Sequence, residues 1–353
     1  MALDIVSHGR RGPGGSVLTP EQIEQVSRTV HRAPEVVVKV SGGARDAGGA
    51  KAHADYIGRH GKLGLETDEG ERVVGRDAGA RLVADWNLDL SRGQYRPLSD
   101  RGRDTRPKVV HNIVLSMPGR TPPEAVLEAA RTFARENFAL QYRYAMVLHT
   151  DQAHPHVHLV VKAEHECGGP RLTIRKAMLR RWREEFAAAL RAQGVPANAT
   201  PAPLRGRATG GMKDSIFRRL RALADAARAP DQPGRTPVGS TFMRAKVERI
   251  AWQLQQGALP VEPGLARLQA TRQSIIDDWR STAQALRRQG EEALAREVER
   301  YIQAFPPVRT DAMRIAERLQ SRWAESGATR GAAPDPGSPP PPQVPTEPSP
   351  RVP

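Results

Sequence analysis

The chain has 353 residues and a formal net charge of +15, with 54 Lys and Arg against 39 Asp and Glu. That length holds one large domain or two ordinary ones, and so basic a chain favours a polyanionic partner, nucleic acid first. One cysteine, Cys167, excludes an intramolecular disulfide framework and a cysteine-built metal site, as suits a reducing cytoplasm. The N-terminal MALDIVSHGRRG lacks the apolar core of a signal peptide, and no apolar run approaches the ~20 residues of a membrane span, so no membrane insertion is expected.

Residues 1–18 are Gly-rich and basic and read as a flexible N-terminus. Thr19-Pro20-Glu21 then carries a helix-start signature: a capping residue, Pro at the first helical position and an acid. Val36 to Val40 is a β-branched run and reads as a strand. A turn over Gly42 to Gly49 leads to a helix over Ala50 to His60, ended by Gly61. The stretch 61–108 is polar and reads as irregular.

Val109 to Met117 is a strong strand closed by Pro118-Gly119. A helix is expected over Pro122 to Leu140, with Val126, Ala130, Phe133 and Phe138 on one face. Strands follow at Tyr144 to Leu148 and at His156 to Ala163, joined by a turn short enough for antiparallel pairing. Leu179 to Gln193 is an amphipathic helix carrying Trp182, Phe186 and Leu190. Strands and helices mix without strict alternation, so the fold class is α+β, helices on an antiparallel sheet, for a domain spanning 19–210. From 211 to 327 the pattern is almost all helical, broken at Pro230–Pro237, Pro260–Gly264 and Pro306-Pro307. An apolar stripe runs through Ile275, Trp279, Ala283 and Leu286. Residues 328–353 read as a disordered Pro-rich tail.

The most informative segment is His149-Thr150-Asp151-Gln152-Ala153-His154-Pro155-His156-Val157-His158, which holds four of the ten histidines. Alternate residues of a strand share a face, so His156 and His158 project together. A hairpin brings His149 back beside them. Three imidazoles converging from adjacent strands make a metal site with open positions. The flanking Leu148 and Leu159-Val160-Val161 place the cluster in a buried sheet, where unpaired imidazoles are costly. Asp151 reads either as an acceptor that orients a ligating histidine or as a turn residue. Imidazole chemistry by itself suits zinc at least as well as magnesium or manganese. The H-E-x-x-H signature of a zinc hydrolase is absent.

The H-x-D-x-x-H-P-H-x-H segment resembles the third motif of conjugative relaxases of the HUH endonuclease superfamily, closest to the branch that includes the Ti-plasmid border endonuclease. His111-Asn112-Ile113-Val114-Leu115-Ser116-Met117-Pro118 resembles the second motif, and Ala54-Asp55-Tyr56-Ile57-Gly58-Arg59-His60-Gly61 the first. The resemblance runs from about residue 35 to about 205 and includes Arg171-Leu172 and Trp182 to Phe186. It implies a five-stranded antiparallel sheet flanked by helices, with His149, His156 and His158 as metal ligands. Tyr56 would be the nucleophile, and Ser116 a DNA contact near the nick. The implied cofactor is a divalent ion, Mg or Mn, with Zn as the alternative.

A phenol ionises only near pH ~10, so a tyrosine nucleophile needs help. The cation, a histidine, or Arg59 would lower that cost, and Asp151 and His154 are further candidates for the base. Arg59, with the dense basic run Arg171, Arg175, Lys176, Arg180, Arg181 and Arg183, is also a candidate phosphate contact; Arg205 and Arg207 are weaker ones. Tyr95, Tyr142 and Tyr144 are the rival tyrosines, the last two expected to be buried.

The resemblance implies nicking of single-stranded DNA at an origin of transfer with a 5′-phosphotyrosine product. Implied partners are relaxosome accessory proteins and the coupling protein of a type IV secretion system. The implied location is the bacterial cytoplasm, with export alongside the DNA. Three alternatives stand: a rolling-circle replication initiator, a non-catalytic single-stranded DNA-binding module, and a zinc hydrolase. The tyrosine precedes the histidines, an order that favours the relaxase over the replication initiator.

Overall fold

Residues 17–91, 106–206, 241–260, 262 and 264–325 are described by the computed structural model. The chain divides into one unit of Pro20–Thr200 and another comprising Met1–Thr19 with Pro201–Pro353. The expectations for Tyr95, Arg207, the Pro230–Pro237 break, residues 1–16 and the Pro-rich tail lie outside the described residues.

In the first unit the elements run α1 (Pro20–Val30), β1 (Val37–Gly42), α2 (Ala47–Ile57), β2 (Leu65–Thr67), β3 (Arg72–Val73), α3 (Ala78–Asp85), β4 (Val110–Ser116), α4 (Pro123–Phe138), β5 (Tyr144–His149), β6 (His156–Lys162) and α5 (Lys176–Ala192). The fold is α+β, as expected. The described strands form one sheet in the order β1-β4-β6-β5-β2-β3, with antiparallel pairing throughout.

The sheet has six strands among the described residues rather than five. The surplus lies in the β2–β3 hairpin, inside the stretch expected to be irregular. Strands of three and two residues are too short to show alternation. They pair because Gly70 turns the chain at φ +82° and Leu65 is fully buried. Short strands at this edge also offer little backbone to a foreign strand. Helix α3 falls in the same stretch and was likewise not anticipated.

Both faces of the sheet are covered, which explains the near-continuous apolar runs of β4 and β6. On one face Val38, Ile113, Leu115, Val157, Leu159 and Met146 meet α4 and α5 through Phe133, Phe138, Trp182 and Phe186. The Phe133 ring stands edge-on to Trp182 at 5.9 Å and to Phe138 at 6.0 Å between centroids, the arrangement aromatic quadrupoles prefer. On the other face Val110, Ala145, Val147, Val160 and Leu65 meet Ala50, Ala54 and Ile57 of α2 and Leu82 and Val83 of α3. The small residues of α2 let that helix lie close to the strands.

The second unit is helical where it is described: Thr241–Gln255, Leu265–Arg288, Glu292–Gln303 and Asp311–Glu325. The expected stripe of Ile275, Trp279, Ala283 and Leu286 is buried, and Trp279 Nε1 donates to the Leu204 carbonyl at 3.0 Å. Breaks fall at Pro260–Gly264 and Pro306-Pro307 as expected, and a further one at residues 289–291. No helix among the described residues is long and apolar enough to cross a membrane.

Candidate active site

Directly paired residues of antiparallel strands share a face. His149 of β5 pairs with His156 of β6, which pairs with Ser116 of β4, which pairs with Val37 of β1. The next row along that face reads Val147, His158, Val114 and Lys39. The β5–β6 turn thus returns His149 to its two partners, as the strand period implies. Ring centroids are 5.2 Å apart for His149 and His156, 4.6 Å for His149 and His158, and 5.0 Å for His156 and His158. One ligand nitrogen from each ring lies within 4.8 Å of the other two.

The rings are held from behind, as ligating histidines usually are. His149 is 2% exposed, and its Nε2–H donates to the Ile57 carbonyl at 2.6 Å. That carbonyl ends α2, where the helix leaves its acceptors without helical donors. The bond leaves the His149 lone pair on Nδ1. Likewise His156 Nδ1–H donates to the His154 carbonyl at 2.9 Å, leaving Nε2 as the basic nitrogen. The Nδ1 of His158 is buried without a partner among the described residues.

Burial, reinforced by the neighbouring His149, His156, His53 and Arg59, holds the His158 imidazole down to about 3. Burial also lowers His149, against the Ile57 hydrogen bond that raises it. Three converging imidazoles, two of them lowered by burial, with an orphaned nitrogen among them are a donor set that fits a divalent cation.

Tyr56 is in the last turn of α2 and is 57% exposed, unusual for so large a side chain so close to a buried cluster. Beyond it the backbone turns left-handed at Arg59 (φ +52°), His60 (φ +53°) and Gly61 (φ +86°). Outside glycine this region costs roughly 1–2 kcal/mol per residue. The turn swings Arg59 back over the Tyr56 ring, its guanidinium carbon 5.7 Å from the centroid. From there Arg59 Nη2 donates to Asp151 Oδ2 at 2.5 Å and to His149 Nδ1 at 3.2 Å. Desolvation raises the Asp151 carboxyl, but the hydrogen bond and charge of Arg59 outweigh it and keep the group below its ordinary value.

Sequence reasoning missed His53. It sits one turn before Tyr56 on α2, its ring 6.5 Å from the Tyr56 ring and 6.4 Å from that of His158. Burial lowers its pKa, and its Nε2 is buried without a partner among the described residues. The i, i+3 spacing of His53 and Tyr56 was the available signal.

The other residues singled out in the sequence divide. Ser116 lies in the triad's row, its hydroxyl donating to the Pro155 carbonyl at 3.3 Å. His154 is exposed and meets the site through its carbonyl. Arg171 is not brought to the triad: it bonds Glu164 and the Lys108 carbonyl, beyond the far end of β4, roughly 25 Å of strand from Ser116. Arg183 donates to the Val38 carbonyl at 3.2 Å from the opposite face, where α5 packs. Arg175 and Lys176 are exposed at the start of α5. Tyr142 and Tyr144 are 8% and 6% exposed in the core, and the Tyr142 hydroxyl donates to the Pro170 carbonyl.

Residues 86–195 match the family model for the nuclease domain of MobA/VirD2-like relaxases. The chain is 28% identical over 136 residues to the T-DNA border endonuclease VirD2 of Rhizobium radiobacter, an alignment covering 36% of this chain and 31% of that protein. The chain therefore spans about a third of the length of the curated relative it matches. An antiparallel sheet bearing a histidine triad on one face, together with these matches, supports a relaxase nuclease domain of the HUH endonuclease superfamily. The family match contains Ser116 and the three histidines, while Tyr56 and Arg59 precede it.

Proposed function

We propose that the domain nicks one strand of DNA at an origin of transfer by attack of Tyr56 on a phosphodiester, starting conjugative transfer or mobilisation. The observation that carries this reading is the tie between Tyr56 and the triad. One end of α2 presents an exposed phenol, and its terminal carbonyl and Arg59 both grip His149.

In the step, Tyr56 Oη bonds to phosphorus and the P–O3′ bond breaks. The phenolic proton passes to the departing oxygen, which leaves as a 3′-hydroxyl. The strand stays joined to the protein as a 5′-phosphotyrosine, and because one phosphodiester replaces another, the reverse attack rejoins it. His149, His156 and His158 would hold a divalent cation, with Mg or Mn favoured by the resemblance and Zn by the imidazole donors. Bound there, it would supply positive charge to the phosphate oxygens, where charge develops in the transition state. Arg59 holds Tyr56 and is neutralised by Asp151, so its role is positioning more than phosphate contact, and its bond to His149 Nδ1 would give way to a cation bound at that lone pair. Ser116 lies one strand from His156, close enough to donate to the same DNA strand. The overall charge of +15 suits a polyphosphate substrate and argues against a zinc hydrolase acting on neutral substrates.

Relaxosome accessory proteins and a secretion coupling protein are the proposed partners, with the helical unit beyond Thr200 as their docking element. The proposed setting is the bacterial cytoplasm, with export alongside the DNA. Single-stranded oligonucleotides tiled across the DNA near the gene, incubated with the protein and Mg²⁺ or Mn²⁺ and run on a denaturing gel, test the reading. A DNA-linked protein band that disappears with EDTA and in Tyr56→Phe is expected. Nicking without any linked band would contradict tyrosine attack, and metal binding with neither nick nor band would favour a non-catalytic binding module.

A further inference from the structure

The triad's face of the sheet is covered unevenly. Helices α2 and α3 pack on Leu65, Val110, Ala145, Val147 and Val160, over strands β2, β4, β5 and β6. Beyond the histidines, toward β1, the rows end in Val37 and Lys39. Val37 is 46% exposed although it stands on a sheet face in the same row as Ser116 and His156. Lys39, in the His158 row, is exposed and makes no ion pair among the described residues. Nearer the triad, Arg59 is engaged by Asp151 and His149. Past the buried Val114 and the half-buried Ser116 hydroxyl, the β1 side of this face thus ends in an exposed aliphatic platform and a cation without an ion-pair partner among the described residues. Two strand spacings, about 10 Å, separate Val37 from His156.

A single exposed valine is ordinary, and a lysine on an edge strand often serves only to blunt that edge. What distinguishes this pair is its row. The apolar patch and the lysine lie in register with His156 and His158, which would hold the divalent cation facing the scissile phosphate. Single-stranded DNA needs this combination: positive charge along the backbone and apolar surface beneath sugar or base. We propose that the β1 side of this face is a subsite for the DNA strand as it leaves the scissile phosphate, with Lys39 pairing a backbone phosphate and Val37 flooring the adjacent sugar or base. The proposal rests on the nicking function above and names where its substrate runs.

The test uses the full chain carrying Tyr56→Phe, so that binding is read without reaction. Fluorescence anisotropy with the tightest-binding labelled oligonucleotide is measured across a series of KCl concentrations. Each phosphate contact on a single strand contributes about −0.7 to the slope of log affinity against log salt. Lys39→Ala should make that slope shallower by about 0.7 and weaken binding several-fold at low salt. Lys39→Arg should restore both, and Val37→Glu should weaken binding more than Lys39→Ala. An unchanged slope and affinity in Lys39→Ala would overturn the subsite and leave Lys39 as an edge charge. A Val37→Glu protein that binds like its parent would overturn it as well. Failure of the nicking reading shows separately, as absence of nick and adduct with Tyr56 present, while the salt slopes still decide the subsite.

Discussion

Arg59 reaches Asp151 across a gap in sequence of more than ninety residues, Nη2 to Oδ2 at 2.5 Å, and passes over the Tyr56 ring on the way. Asp151 is 55% exposed at its side chain, and ion pairs this open to solvent contribute little to stability. The two consecutive left-handed residues at Arg59 and His60 cost more than that. The contact therefore makes sense as geometry: it fixes the phenol relative to the triad. Arg59→Ala should slow adduct formation by about tenfold or more, some 1.4 kcal/mol in the barrier, while shifting Tm by only a degree or two. Asp151→Asn should give part of the same loss, and the double variant should lose little beyond Arg59→Ala, because the two act as one unit. Single-turnover rates and thermal melts on the four proteins check this. Additive losses would mean that the residues act independently.

His53 packs between the phenol and His158 and is neutral by burial. His53→Ala removes that neighbour of Tyr56 without touching the triad's own hydrogen bonds. The adduct rate at saturating oligonucleotide should fall about tenfold while the oligonucleotide Kd stays put. A change in Kd with the rate preserved would assign His53 to substrate binding.

The triad makes stability depend on pH with a definite sign. His158 is held at about 3 in the fold against ~6.5 unfolded, and His53 and His149 are lowered too. Between those values the unfolded chain binds more protons than the folded one, so stability rises with pH and is lost as pH falls below about 6.5. In EDTA, Tm should drop between pH 7 and pH 5, where most carboxylates stay ionised. His158→Asn should flatten that slope, and equal slopes in the two proteins would contradict the assignment. The same protonation competes with metal, so Mn²⁺ affinity by calorimetry should weaken over this interval.

Much of this architecture was legible in the sequence, for identifiable reasons. The four long strands were marked by β-branched runs, and α4 and α5 by apolar residues at helical spacing. The triad followed from the two-residue period of β6 and the short turn before it. The β2–β3 hairpin was invisible because it is too short to carry a period. Arg59 was recognised, but its direction depends on backbone dihedrals that no composition rule encodes. His53 looked like any polar residue in a helix until β6 was laid against it. Arg171 and Arg183 read as parts of one basic run, yet the fold commits them to Glu164 and to two backbone carbonyls, because Arg171 lies in the loop before α5 while Arg183 sits on the helix side that packs on the sheet.

The core on the α4–α5 face sets the stability on which the site depends. Phe133 is fully buried against Phe138, Trp182 and Phe186. Phe133→Ala should cost about 3–5 kcal/mol in denaturant unfolding of the Pro20–Thr200 unit. A loss below 1 kcal/mol would mean the aromatic cluster is looser than its edge-on contacts imply.

The most direct test of the central claim is the site of attachment. A DNA-linked protein from a successful oligonucleotide is digested with nuclease and protease, and the nucleotide-bearing peptide is sequenced by mass spectrometry. The account predicts a 5′-phosphonucleotide on Tyr56 alone. Attachment at Tyr142 or Tyr144, or cleaved DNA with a free 5′-phosphate and no linked peptide, would contradict it.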